Sequence, residues 1–375
     1  MAAAAWLGQA GPDAWHRDVS VWAAARVPRV ARTLLWASLA LAPVTFVVDF
    51  ALHAGDVALF VLAAISLIPL AWLIGESTEQ VAEHTGPGIG GFLNASFGNA
   101  PELIIALFAI ADSLPNVVRG SLAGSVFSNL LLVLGFALAL GEEKELDRRS
   151  LLSQLGLVAF AVALFFVPSV PGWHGDPDRH SLAVLTAPLA GVLLVVYLVV
   201  QTRSLRRHRQ AHADEEAAAG AWSLPGGLIA LGLATVATAL ISEILVHSLD
   251  GFAKAAGVSE FFIAAIIVAM VGNAAEHGGA IVIARRGKMR LATEIAISSS
   301  AQVALLVVPA IALLAWAVTP ALPLAFRWEE LAAMAAATLV AAAVVYDGRS
   351  RRWEGIALIA LYGAIAVWFG FAGNR

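Results

Sequence analysis

The chain has 375 residues, of which 60% are apolar and only 13% are charged, and its mean hydropathy is +0.82. Soluble domains contain roughly 45–50% apolar and about 25% charged residues, so this balance excludes a disordered chain, a fibrous protein and almost any soluble enzyme. The formal net charge of -4 gives no reason to expect nucleic acid or another polyanion as a partner. The absence of cysteine excludes disulfides and thiolate metal sites. We therefore expect an integral membrane protein whose solvent is the lipid bilayer.

The N-terminal tail, residues 1–32, precedes the first long apolar run. It is rich in alanine and tryptophan with scattered charges, and it lacks the basic start, apolar core and cleavage site of a secretory signal. We expect a short interfacial helix within residues 1–28, on the cytoplasmic side.

Eleven apolar runs follow, each long enough to cross a bilayer as a helix. They are residues 33–52, 57–75, 90–111, 117–140, 150–170, 181–201, 223–247, 260–284, 291–318, 328–346 and 353–372. The chain then divides into an extra first helix (33–56), a five-helix unit (57–201), a polar cytoplasmic connection (202–222) and a second five-helix unit (223–375). The predicted fold is an all-α polytopic membrane protein.

The distribution of basic residues supports this count of spans. With eleven spans, 18 of the 23 lysines and arginines fall on the side of the N-terminal tail and 5 on the other side. Because Lys and Arg collect on the cytoplasmic side of membrane proteins, the pattern predicts a cytoplasmic N-terminus and a C-terminus on the opposite side. We expect the protein in the plasma (inner) membrane.

A repeated motif relates the two five-helix units. The motif Gly98–Glu102 lies in the third span, and Gly272–Glu276 lies 174 residues later in the eighth. The same shift aligns residues 125–128 with residues 299–302. Because each unit has an odd number of spans, two successive units cross the membrane in opposite directions. Such inverted repeats are typical of secondary transporters, whose binding sites lie near the bilayer midplane between the repeats.

The two repeated glutamates are the main functional candidates. Glu102 and Glu276 lie within apolar spans that contain no lysine or arginine, and such intramembrane carboxylates are functional candidates by default. Two carboxylates brought together from the two halves form an oxygen-rich site of the kind that Ca²⁺ prefers. Gly98 and Gly272, with Pro101 in the first copy, weaken helical pairing, and broken helices expose backbone carbonyls at transporter sites.

Other polar residues of the repeats are candidates for the same cavity. Two interpretations stay open for Asn99 and Asn273: direct ligands through their amide oxygens, or residues that tie down the broken backbone. The matched polar residues of the fourth and ninth spans are predicted to line the cavity. They are Ser125, Ser128, Asn129, Ser299 and Gln302.

Three further acidic residues lie towards the ends of spans. Glu76 and Glu79 end the second span, and Glu243 lies in the seventh, in a similar local sequence. They are interpreted either as an acidic access path or gate for the ion, or as solvated helix ends.

Two nearby features are not counted as part of the site. The run 86–91 fits G-x-G-x-x-G, but no strand precedes it, so we expect a loop between spans rather than a nucleotide site. His277 follows Glu276 directly and is interpreted as a packed polar neighbour in preference to a second proton carrier.

Protons and a dication compete for the same carboxylates, so binding of one expels the other. That competition is the chemistry of antiport. No resident cofactor is expected, since Ca²⁺ would be the transported ion. The residues alone leave Na⁺ open as the counter-ion.

The paired motifs Gly98–Glu102 and Gly272–His277 resemble the two signature repeats of the calcium/proton exchangers, a family of the calcium/cation antiporter superfamily. The resemblance covers residues 33–372 and extends to the stretch Ser298–Gln302. It implies one extra helix plus two five-helix repeats, export of Ca²⁺ driven by H⁺, and shared Ca²⁺/H⁺ carboxylates at Glu102 and Glu276. It also implies an acidic access path formed by Glu76, Glu79 and Glu243. Pro101 and the mixed charge of the connection depart from the family pattern.

Three alternatives remain open at this point. The first is a related antiporter for Na⁺, K⁺ or another divalent cation. The second is a cation channel, although channels typically place rings of ligands in symmetric subunits. The third is an intramembrane hydrolase, for which the sequence offers no Ser/His/Asp set. Oligomeric state is not predicted.

Overall fold

The computed structural model describes residues 29–211, 222–317 and 321–373. Within these residues the chain is helical, and extended backbone pairs only in an isolated bridge between Glu145 and Arg349. The prediction of an all-α protein is therefore confirmed. The interfacial helix expected within residues 1–28 lies outside the described residues, as do residues 212–221 of the polar connection.

The helices of the described residues are named here in chain order. They are α1 (Arg29–Ser38), α2 (Leu41–Phe50), α3 (Asp56–Phe97), α4 (Ala100–Ala111), α5 (Pro115–Leu140), α6 (Arg148–Gly172), α7 (His180–Ala211), α8 (Leu224–Ala256), α9 (Glu260–Gly272), α10 (Ala274–Arg285), α11 (Met289–Ala317), α12 (Trp328–Val345) and α13 (Arg352–Ala372).

Most of the predicted spans correspond to one helical stretch each. Across the described ranges, nine stretches are long and apolar enough to cross a bilayer, and the pair α9–α10, bent by 58°, forms a tenth. The predicted span 90–111 differs, because it contains the end of α3, a break at Asn99 and the 12-residue helix α4. Large apolar side chains such as Leu233 and Val236 are exposed on the helices, as a lipid surface requires. A count of eleven spans stays a prediction.

The connection predicted at residues 76–89 is helical instead. Helical backbone continues through the whole of Asp56–Phe97. However, Phe97 packs in the same small apolar cluster as Ile74, whereas a straight helix would place it about 35 Å further along. The chain therefore turns back on itself without leaving helical backbone, and the run 86–91 supplies the glycines and proline that commonly bend helices. The loop predicted for this run is wrong.

The sequence repeat is accompanied by repeated local structure. Helix α10 begins and ends 174 residues after α4, and α11 begins 174 residues after α5. Both α5 and α11 contain a π-helical segment at matching positions, Asn129–Val133 and Val303–Val307. The opposite orientation of the two units stays a prediction.

Close helix packing surrounds the two helix breaks. Helices α3 and α8 run antiparallel, since Asp56 packs on Gly251 at one end and Val81 packs on Gly227 at the other. Helix α5 lies against α9 at Gly124, where a Cβ atom would be 2.1 Å from the carbonyl oxygen of Ala265. Small residues of this kind let membrane helices approach closely.

Candidate functional site

Two helix breaks bring the repeated glutamates into the protein interior. Asn99 separates α3 from α4, and Asn273 separates α9 from α10, each in a non-helical backbone conformation. Glu102 and Glu276 consequently lie in the first turn of α4 and α10. Glu102 is 7% exposed, while Glu276 is half-buried. Carboxylates in these positions are stabilised by the positive end of the helix dipole.

The two halves meet directly at Gly272. A Cβ atom built on Gly272 would lie 3.2 Å from both Cγ and Oε1 of Glu102. Glu102 of the first motif therefore packs against the backbone of the second motif, four residues before Glu276. The absence of a side chain at Gly272 permits this close approach, since a Cβ atom would press on the carboxylate. Gly98 takes the matching position in the first motif, just before Asn99, and is half-buried.

Each asparagine at a break forms a hydrogen bond with the other half of the site. The Nδ2 atom of Asn99 donates to Oε1 of Gln302 at 3.0 Å. The Nδ2 atom of Asn273 donates to Oγ of Ser125 at 2.8 Å and to the carbonyl oxygen of Ala269 at 2.9 Å. The bond to Ala269 satisfies a carbonyl at the end of α9. This geometry supports a backbone-securing role for the Asn273 amide nitrogen, and a ligand role for either asparagine remains untested.

Around Glu276, a chain of polar contacts reaches the carboxylate. The hydroxyl of Ser299 donates to Oε2 of Glu276. The Nδ2 atom of Asn129 donates to Oγ of Ser299 at 2.9 Å, and it also lies 3.4 Å from Oδ1 of Asn273. On the other side of the same amide, Nε2 of His277 lies 3.1 Å from Oδ1 of Asn129. The Ser299 hydroxyl that binds Glu276 is therefore itself fixed by the amide of Asn129.

Around Glu102, the surroundings are less polar. Its Oε2 atom is buried, and no hydrogen-bond partner reaches it from the described residues. The carboxylate borders a small cavity. The other residues lining this cavity are Ile105, Ser121, Leu122, Ser125, Val268, Ala269 and Gly272. An unsatisfied buried carboxylate oxygen is costly, so this position favours a bound cation or proton.

The predicted lining residue Ser128 has a partner in its own helix. Its hydroxyl donates to the carbonyl oxygen of Ser125 at 3.3 Å. Ser300, next to the predicted lining residue Ser299, donates to the carbonyl oxygen of Val126 at 3.0 Å, which joins α11 to α5. Ser125 and Ser299 both form hydrogen bonds with the second motif, Ser125 with Asn273 and Ser299 with Glu276. The lining role of Ser128 stays a prediction.

The acidic residues of the predicted access path lie towards opposite ends of the α3–α8 pair. Glu76 is buried in α3 near Val81, and Nε2 of Gln80 donates to its Oε1 at 3.4 Å. Glu79 is half-buried one turn away. Glu243 is exposed on α8, about two turns from Gly251. The role of these three residues in an access path or gate stays a prediction.

The donors at the centre of the site are carboxylate, amide and hydroxyl oxygens. In the described ranges, no group of three or more His, Cys, Asp or Glu residues is arranged so that it could hold a metal ion. Two glutamates with neutral oxygens around them suit a hard cation such as Ca²⁺, which takes six to eight oxygen ligands.

Comparison with known proteins identifies the family. A family profile described as "Sodium/calcium exchanger protein" matches residues 56–204 and 226–371. The chain belongs to this family. The two matched stretches correspond closely to the two predicted five-helix units and leave out the polar connection between them.

Individual members of the family resemble the chain over most of its length. The Ca(2+)/H(+) antiporter ChaA of Bacillus subtilis (strain 168) is 38% identical over 332 residues, which are 86% of this chain and 95% of that relative. The solved structure described as native YfkE has a TM-score of 0.77 at 34% identity and covers 90% of this chain and 99% of its own. The crystal structure of the H+/Ca2+ exchanger CAX, at 17% identity and a TM-score of 0.68, shares the fold and covers 91% of this chain and 92% of its own.

These comparisons confirm the resemblance on which the sequence prediction rested. The protein is a transporter rather than an enzyme, and it is an integral membrane protein. The intramembrane hydrolase considered from the sequence is thereby excluded.

Sequence reasoning did not find how the site residues pair. His277, interpreted from the sequence as a packed polar neighbour, contacts Asn129 and so joins the polar chain that ends at Glu276, a partner that the sequence did not predict. Asn99 was not paired with Gln302, although both were candidates. A signal was present for His277, since Leu103 takes the equivalent position 174 residues earlier. A polar residue that replaces an apolar one at a repeat position next to a candidate ligand merits attention.

Proposed function

We propose that the protein exchanges cytoplasmic Ca²⁺ for external H⁺ by alternating access, with Glu102 and Glu276 as the carboxylates shared by Ca²⁺ and protons. The observation that carries the proposal is the meeting of the two motifs, in which Glu102 packs against the backbone of Gly272 and Glu276 lies four residues further along. The similarity to Ca²⁺/H⁺ antiporters over most of both chains supports the choice of ions.

The binding step follows from the oxygen donors of the site. A Ca²⁺ ion between the two halves would be held by the carboxylates of Glu102 and Glu276. Neutral oxygens are available from the asparagines, from Ser125 and from Gln302. When protons occupy the carboxylates, their negative charge is lost and so is the attraction for Ca²⁺. Ca²⁺ and H⁺ therefore occupy the site in turn, which is the requirement for exchange.

The transport step follows from the repeat. We propose that residues 57–201 and 223–375 form two inverted five-helix units, joined by the cytoplasmic connection 202–222 and preceded by the extra helix 33–56. When the two units exchange conformations, a site between them opens to the opposite side of the membrane. The charge distribution supports a cytoplasmic N-terminus, an external C-terminus and a location in the plasma membrane. We propose no resident cofactor.

Ca²⁺ uptake into everted membrane vesicles under an imposed pH gradient tests the proposal. Wild-type vesicles are expected to accumulate Ca²⁺ when their interior is acidic. The initial rate of uptake by the variants Glu102→Gln and Glu276→Gln is expected to be at least about 100-fold lower. Glu260→Gln is the matched control, since it makes the same chemical change at the far end of α9. We expect it to transport normally.

Two results would count against this function. Absence of pH-driven uptake by the wild-type protein would refute the exchange, and full uptake by either glutamine variant would refute the shared carboxylates. Uptake that follows a Na⁺ gradient instead of a pH gradient would favour the related antiporter.

A further inference from the structure

Two polar residues near Glu276 have apolar counterparts in the other half, and these two residues contact each other. A shift of 174 residues places Asn129 opposite Val303, and His277 opposite Leu103. In each case one half has a polar side chain where the other has an apolar one. Nε2 of His277 lies 3.1 Å from Oδ1 of Asn129. These two departures from symmetry therefore form one local feature on the Glu276 side.

The amide of Asn129 is engaged at both ends. Its Oδ1 faces His277, and its Nδ2 donates to Oγ of Ser299 at 2.9 Å and approaches Oδ1 of Asn273 at 3.4 Å. The residue is 0% exposed. With hydrogen-bond partners at both ends of its amide, Asn129 is placed to act through its neighbours.

Ser299 is the neighbour through which it acts. A hydroxyl has one proton to donate and lone pairs that accept. By donating to Oγ, the Asn129 amide occupies a lone pair of Ser299, and the single hydroxyl proton is then directed to Oε2 of Glu276. Hydrogen bonds to charged groups are stronger than those between neutral groups, so the fixed orientation affects how Glu276 is presented to a cation.

The half of the site around Glu102 has no equivalent arrangement of hydrogen bonds. Ser125 corresponds to Ser299, but its Oγ accepts from Asn273, and Oε2 of Glu102 has no hydrogen-bond partner among the described residues. The position equivalent to Asn129 is Val303, which is fully buried and apolar. The chain thus pre-orients one carboxylate of the pair and leaves the other adjustable.

We propose that Asn129 is a positioning residue, which fixes the Ser299 hydroxyl on Glu276 and so sets the affinity of the transport site for Ca²⁺. The proposal rests on the exchange function proposed above. It assigns the affinity effect of Asn129 to its contact with Ser299, and not to a contact with the ion.

A double-mutant cycle tests this dependence. The half-saturating Ca²⁺ concentration and the maximal rate of pH-driven uptake are measured for wild type, Asn129→Val, Ser299→Ala and the double variant. Asn129→Val introduces the residue found at the equivalent position of the other half. We expect each single variant to raise the half-saturating Ca²⁺ concentration about tenfold, because about 1.4 kcal/mol corresponds to a factor of ten. The double variant is expected to match Ser299→Ala alone.

The cycle separates a positioning role from a structural or ligand role. If the two single effects multiply in the double variant, Asn129 acts independently of Ser299 and the proposal is overturned. It is also overturned if Asn129→Val leaves the half-saturating Ca²⁺ concentration unchanged. Thermal denaturation in detergent checks that each variant is folded, and Asn129→Ser replaces Asn129→Val in the cycle if the valine variant does not fold.

A failure of the role proposed for Asn129 can be distinguished from a failure of the exchange function. If wild-type vesicles show pH-driven uptake and the cycle is multiplicative, only the role of Asn129 is refuted. If wild-type vesicles show Ca²⁺ movement that ignores the pH gradient, the exchange function fails first.

Discussion

The half of the site around Glu276 and the half around Glu102 come from the same repeated motif, yet they are built differently. Glu276 is half-buried and accepts a hydrogen bond from Ser299. Glu102 is buried against Gly272 and keeps an oxygen without a hydrogen-bond partner among the described residues. The difference shows that a repeat can preserve the ligand type while changing its support. Two chemically identical carboxylates then need not bind an ion equally.

The largest difference in Ca²⁺ affinity between the halves is expected when each glutamate is shortened to aspartate. Glu276→Asp withdraws the carboxylate from the Ser299 hydroxyl, and loss of a hydrogen bond to a charged group, about 1.5–3 kcal/mol, corresponds to roughly a 10–100-fold change. Glu102→Asp has no such bond to lose and is expected to raise the half-saturating Ca²⁺ concentration less. The measurement is the Ca²⁺ dependence of pH-driven uptake. Equal losses, or a larger loss for Glu102→Asp, would contradict the comparison.

Proton competition is the next largest effect, and it applies to both halves together. Because the ligands must be deprotonated to bind a cation, the apparent affinity for Ca²⁺ is expected to rise with pH. Over the pH range in which one proton is displaced, the half-saturating Ca²⁺ concentration should fall about tenfold per pH unit. Initial uptake rates at several pH values on the Ca²⁺-loading side provide the test. A Ca²⁺ affinity that is flat from pH 6 to pH 8 would contradict shared carboxylates.

A smaller effect is expected where the halves meet. In Gly272→Ala the new Cβ atom would lie 3.2 Å from Cγ and Oε1 of Glu102, so the carboxylate must move by a few tenths of an ångström. We expect the affinity for Ca²⁺ to fall about fivefold, which corresponds to about 1 kcal/mol. Gly278→Ala, on the same bent helix pair, is the matched control because no atom lies within 4 Å of its Cβ position. If both variants behave alike, the contact between Gly272 and Glu102 is unimportant for binding.

The smallest effect on transport, and a separate effect on stability, is expected away from the carboxylates. In Gly124→Ala the Cβ atom would lie 2.1 Å from the carbonyl oxygen of Ala265, so α5 and α9 must separate. Overpacking of this kind costs about 1–3 kcal/mol, which thermal denaturation in detergent would detect as a lower Tm. Gly156→Ala in α6 serves as the control, because no atom lies within 4 Å of its Cβ position. An unchanged Tm for Gly124→Ala would mean that the close packing is not needed.

The sequence predicted which carboxylates are candidates for the site. Glu102 and Glu276 stand out because a carboxylate within an apolar span is expensive in lipid and needs a reason to be there, and their role in transport stays a prediction. The repeat of 174 residues predicted which elements would match, and the bounds of α4 and α10 and the first residues of α5 and α11 follow it. These features are encoded locally, in residue type and spacing.

The remaining features depend on contacts between distant parts of the chain. Asn129 and His277 are separated by 148 residues, so their contact could not be read from spacing. The helical run through residues 86–91 was missed for a different reason. Glycine and proline favour turns, but such local preferences are weak, and the tertiary context of the folded chain overrides them.

Counterflow of H⁺ with Ca²⁺ tests the central claim most directly. Purified protein in proteoliposomes would be given a Ca²⁺ gradient without a pH gradient, while Ca²⁺ and internal pH are recorded together. The account predicts that Ca²⁺ movement drives H⁺ in the opposite direction, and that both movements disappear in Glu102→Gln and Glu276→Gln but persist in Glu260→Gln. Ca²⁺ movement without any change in internal pH, or movement that requires Na⁺, would contradict it.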